Sequence, residues 1–201
     1  MRSRSIVLCL AALAAPVGPV SAQHAWSDLS VEMQIRLAVQ AAPPEARDGA
    51  TVQGWDDSGS FVTLREGTNA MVCMAPNPER EQFEVSCHHD GLEAYFARGR
   101  ELSAEGVTGN ERVQARWDEF TAGTLPIPYG SSNHILTGSG FDSETGEIED
   151  AFLRWVVYTP NATAESTGLT TQPGPIVPWL MFPGTPGAHI MVTPPDPRRG
   201  G

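Results

Sequence analysis

Lysine is missing from this chain. All 13 basic side chains in its 201 residues are arginine, and they face 24 Asp and Glu for a formal net charge of −11 and a pI near 4.8. Sequence-independent binding to DNA or RNA depends on basic residues that release counterions from phosphates, so nucleic acid is excluded as a partner. The same acidity excludes docking on an anionic membrane surface. Long hydrophobic runs are missing too: no stretch reaches the ~18 apolar residues of a spanning helix, and no stable membrane anchor is expected. There is no P-loop, no dinucleotide fingerprint and no G-x-S-x-G, so no cofactor is expected. Cysteine is nearly absent, with 3 residues and no C-x-x-C pair, which removes the usual structural zinc site.

Glycine and proline are abundant, at 20 and 17 residues. Long uninterrupted helices cannot fill such a chain, and a turn-rich fold containing sheet is favoured. The first 22 residues read as a secretory signal. Arg2 and Arg4 form a positive start, Ile6 to Ala15 is a short apolar run, and Val20-Ser21-Ala22 offers the small residues of a cleavage site. Export to the periplasm or medium, with Gln23 as the new terminus, is the expectation. Residues 23–193 would form a single domain and 194–201 an exposed tail.

Removal of the signal takes Cys9 with it and leaves Cys73 and Cys87 to enter an oxidising compartment. A disulfide between them is expected, with two buried thiols as the alternative.

Periodicity places a helix over 27–42, where Leu29, Met33, Leu37 and Ala41 recur every four residues, Ser27 or Ser30 can cap, and Pro43-Pro44 ends the run. Four strands follow, at 51–55, 61–66, 70–75 and 83–87, separated by turn residues and read as an antiparallel meander. Asp90 with Glu93 suggests a capping box for a helix over 92–105, closed by Gly106, and Asn110 suggests a cap for another over 110–122. Later strand signals lie at 135–137, 153–158 and 179–192. The expected fold is α+β, a mostly antiparallel sheet with about three helices on one face. An all-β sandwich with peripheral helices is the alternative.

Chemistry-bearing residues are sparse. Arg65, Glu66 and Asn69 bracket Gly67 at the end of an apolar strand, where Glu66 is a candidate general base and Arg65 with Asn69 candidate ligand-binding groups. An ordinary solvated turn explains the same residues. His189 and Met191 share one side of a strand near Trp179 and Met181, which makes His189 a candidate catalytic proton carrier and Trp179 a candidate ligand-binding residue in an apolar wall. His88, His189 and Met191 are the residues a copper or zinc ion would need, although no metal is expected, because an isolated His or Met on an apolar strand is ordinarily packing. The acidic stretch from Asp142 to Asp150 departs from a calcium loop and reads as a hairpin tip. Asn161-Ala162-Thr163 is a glycosylation sequon, and Ser139 a turn serine.

Two segments carry a resemblance. Val62-Thr63-Leu64-Arg65-Glu66-Gly67-Thr68-Asn69, followed by Cys73 and Cys87, and the C-terminal Trp179 to Val192 with Pro183-Gly184-Thr185-Pro186-Gly187-Ala188-His189, resemble an uncharacterised family of exported bacterial proteins. The resemblance implies no activity, cofactor or fold. It directs attention to Arg65, Glu66, Asn69 and His189. The functional expectation is an exported, non-catalytic module that binds a small molecule or a cell-envelope component. An exported hydrolase or metal-dependent enzyme using Glu66 and His189 is the alternative. Oligomeric state is left open.

Overall fold

The computed structural model describes residues 26–174 and 176–196, so the expected signal segment and the end of the expected tail lie outside the described residues. Helix α1 spans Val31–Ala38, and Ser30 caps it by accepting a hydrogen bond from the Met33 amide. A 3-10 turn over Val39–Ala41 continues it, and Ala42, extended ahead of Pro43-Pro44, ends it. Strands β1 (Thr51–Trp55) and β2 (Phe61–Arg65) form a hairpin, then come β3 (Met71–Met74) and β4 (Glu84–His89). Helices α2 (Glu93–Ala104) and α3 (Gly109–Thr121) follow. The remaining elements are β5 (Ser132–Thr137), the short hairpin β6 (Gly140–Phe141) and β7 (Ile148–Glu149), β8 (Phe152–Tyr158), α4 (Ala164–Thr167), β9 (Trp179–Met181) and β10 (His189–Val192).

Eight strands join one sheet in the order β2-β1-β3-β4-β5-β8-β10-β9. Every pairing is antiparallel except β1 with β3. The α+β expectation holds. The meander does not, because β3 passes the start of β1 and pairs on its far side instead of beside β2. The crossing is made by the 67–69 turn, whose Thr68 and Asn69 amides both donate to the Gly49 carbonyl. Gly67 is required there: a Cβ would stand 2.3 Å from the Thr51 backbone nitrogen.

The helices divide between both faces of the sheet rather than sharing one. Alternation along β4 shows how: the Cys87 side chain reaches the Ala38 carbonyl of α1, while the next side chain, His88, reaches Glu93 of α2. One core forms where Leu37, Ala38 and Ala41 meet Val52, Cys73, Val85, Cys87 and Leu136. The other forms where Leu92, Tyr95 and Phe96 meet Val156, Tyr158 and Met191. Cys73 and Cys87 sit directly opposite each other on β3 and β4, Cα atoms 4.0 Å apart, and form a disulfide across the first core.

Two caps differ from expectation. No Asp90–Glu93 box forms. The chain enters α2 through a 3-10 turn over Asp90–Leu92, which His89 caps by accepting from the Gly91 amide, and Glu93 turns toward His88 instead. Helix α3 follows Thr108, so Asn110 lies within its first turn. Gly106 does close α2: its φ is +84°, and the Val107 amide bonds back to the Leu102 carbonyl. Among the described residues, no helix is long and apolar enough to cross a membrane.

Candidate functional site

The segment at the end of β2 is a brace. The Arg65 guanidinium donates to the Ala50 carbonyl at 2.9 Å and 3.2 Å and to the Arg47 carbonyl at 2.7 Å. The Asn69 amide donates to the Ala46 carbonyl, and its oxygen accepts from the Met71 amide. Both side chains thereby tie the 46–50 loop to the chain that crosses into β3. Glu66 is exposed beside them.

His189 lies on β10, opposite Tyr158 of β8 and Met181 of β9, with Met191 opposite Trp179. An apolar wall of Trp179, Met181 and Met191 therefore does stand beside His189, on the face that α2 covers. The imidazole packs tilted against Tyr158 at 5.5 Å and edge-on against Phe182 at 5.7 Å, and its Nδ1 donates to the Gly187 carbonyl at 2.7 Å. Burial pushes its pKa below the usual imidazole value, partly opposed by that hydrogen bond. Burial likewise raises the Tyr158 hydroxyl above its ordinary range.

The two segments do not meet. Strands β1, β3, β4, β5 and β8 stand between β2 and β10, which is roughly 29 Å across six spacings of ~4.8 Å. Glu66 and His189 are not brought into a shared site, and no described cavity lies at either of them. Nor do His88, His189 and Met191 converge. Among the described residues, no three His, Cys, Asp or Glu side chains cluster as metal ligands.

Between the two segments lies a polar cluster that sequence reading missed. His88, with no exposed surface, donates from Nε2 to Glu93 at 2.7 Å. Gln53 of β1 and Arg100 of α2 donate to the other carboxylate oxygen. Burial alone would raise the Glu93 carboxyl, but the hydrogen bond from His88, the charge of Arg100 and the bond from Gln53 outweigh it and hold the pKa at about 2. Arg100 also covers the Phe61 ring, 4.8 Å from its centroid. The cluster fastens α2 to β1 and β4 beneath Phe96, whose ring stacks on His88 at 4.5 Å. Its only sequence signal, Glu93 three residues after Asp90, reads as a helix cap.

A concave site lies elsewhere, where α1 meets the β1–β2 hairpin. A cleft of about 210 Å³ is lined by Trp26, Leu29, Trp55 and Pro76 together with Asp28, Asp56 and Asp57. Gln34 builds its floor. Its Nε2 donates to the Leu29 and Trp55 carbonyls, and its Oε1 accepts from the Trp55 amide at 2.9 Å, so one buried amide locks α1 to the end of β1. Gly54 makes room for it, since a Cβ there would lie 2.5 Å from Gln34 Oε1. Trp55 packs edge-on to Phe61 at 4.9 Å, and Trp26 edge-on to Phe83 at 5.4 Å. Asp56 folds the hairpin tip. Its Oδ1 accepts from the Ser58 hydroxyl and from the Ser58 and Ser60 amides, which hold the carboxyl below its ordinary range.

No family model, curated protein or solved structure matches the chain.

Proposed function

We propose that the protein is an exported, non-catalytic module that binds a small molecule or cell-envelope component, and that the Trp26–Trp55 cleft is where it binds. The observation that carries the reading is this cleft: two indoles and three carboxylates around a concavity that a buried amide holds in shape. Its volume is below the ~300–1,000 Å³ of ordinary ligand pockets, so the occupant is a small group or the end of a larger molecule. The disulfide is compatible with an oxidising compartment, and the resemblance to exported bacterial proteins points the same way. Against catalysis, Glu66 and His189 stand far apart, and Glu93 is committed to His88, Gln53 and Arg100, with His88 itself wholly buried.

The reading is tested by comparing Trp55→Ala, Glu66→Gln and His189→Asn. Small-molecule binding, followed by thermal shift, should disappear in Trp55→Ala and persist in the other two. Hydrolysis of an ester, phosphate or peptide substrate that is abolished by His189→Asn or Glu66→Gln would replace the binding reading with the catalytic one.

A further inference from the structure

The side chains of the cleft narrow the chemistry of its occupant. Asp28, Asp56 and Asp57 line it, and no lining residue is basic. The polar groups best placed to act as donors are already committed. Both functions of the Gln34 amide are bonded to the backbone, and the Trp26 indole N–H donates to the Arg80 carbonyl at 2.9 Å. Ser27 also lines the cleft and is already engaged, and Trp26 is only 9% exposed, so what the cleft chiefly presents is carboxylate oxygen and Trp55. An anion would meet only negative charge, and a neutral polyol would find acceptors in excess of donors. A metal ion wants its oxygens drawn together, and no three of the described acids are close enough to hold one. A cation too large and too weakly hydrated to need such a cage fits the lining, because indole faces attract it and carboxylates neutralise it. The net charge of −11 adds a long-range field of the matching sign.

We propose that the Trp26–Trp55 cleft binds an organic ammonium group, with Trp55 and the small exposed part of Trp26 packed on its alkyl surface and Asp28 and Asp57 supplying the opposing charge. This rests on the reading of the cleft as the ligand site. Asp56 is the less available of the three acids, because one of its oxygens is held by the hairpin tip.

The test is a titration of the purified protein with choline and with its neutral carbon isostere, 3,3-dimethylbutan-1-ol, at a fixed ionic strength of about 0.15 M. Intrinsic tryptophan fluorescence and calorimetry provide the readouts. Choline should bind saturably and at least about tenfold more tightly than the isostere, which is ~1.4 kcal/mol. Asp57→Asn and Asp28→Asn should each weaken choline binding severalfold with the melting temperature preserved. Phosphatidylcholine vesicles separate the sources of the group: co-sedimentation places the ammonium on a lipid, and choline binding without co-sedimentation places it on a free amine, either result supporting the class. Equal affinity for choline and isostere overturns the ammonium proposal. So does binding of a neutral sugar such as N-acetylglucosamine, abolished by Trp55→Ala, when choline leaves the signal unchanged; the cleft itself then survives as a site. If no probe perturbs the cleft tryptophans, and a ligand found by other means binds Trp55→Ala as well as it binds the parent, both the ammonium class and the cleft reading fall.

Discussion

Replacing Glu93 with Gln keeps the shape of the side chain and removes the charge that His88, Gln53 and Arg100 surround. With the carboxyl held at about 2 against an ordinary 4.5, the shift of roughly 2.5 units corresponds to ~3.4 kcal/mol at 1.36 kcal/mol per unit. The side chain retains 28% of its surface in solvent, which screens part of that, so about 2–3 kcal/mol at neutral pH is the expected cost. The sign follows from the direction of the shift. A carboxyl depressed in the folded state contributes its stability above pH 4.5, and that stability is lost as pH falls from 4.5 toward 2. Urea and thermal unfolding of both proteins between pH 7 and pH 2 measure it. Glu93→Gln should melt about 4–12 °C lower at pH 7, at ~2–4 °C per kcal/mol for a chain of this size. The gap should close steadily as pH approaches 2. A difference that stays constant across that range, or a variant more stable than the parent at pH 7, would refute the account of Glu93 as an ionised centre holding α2 to the sheet.

Two more outcomes are expected. Non-reduced protein should show no alkylatable thiol at Cys73 or Cys87, and the double change Cys73→Ala with Cys87→Ala should cost about 3 kcal/mol, the chain-entropy value for so short a loop; an unchanged urea midpoint would count against the bridge as a stabiliser. Gly67→Ala should cost roughly 1–3 kcal/mol because its methyl would collide with the Thr51 backbone, and protection of the β1 and β3 amides from hydrogen exchange should fall with it. Full protection in that variant would mean that the crossing does not depend on a bare α-carbon.

How much of this was legible in the chain divides along the range of the interactions involved. Local signals located most of the elements. The period-four run before Pro43, the period-two runs around residues 51–65, and the glycine after Ala104 each act within a turn or a strand, so the residues that carry them are adjacent in sequence. The cysteine pairing was also accessible, because once Cys9 is set aside only one partner remains for Cys73. Sheet order was not. Whether β3 joins β2 or β1 depends on a crossing turn that packs against Gly49, and nothing in the alternation of either strand records it. Two placements went the same way. Arg65 ends one apolar strand and His189 begins another, and only the order of the five strands between them reveals that they belong to different ends of the sheet. Trp26, Gln34 and Trp55 carry no motif at all, yet a single buried amide between a helix and a strand end makes them one cleft. Local propensity reports on neighbours in the chain, whereas a site is made by groups that only the burial of two separate faces brings together.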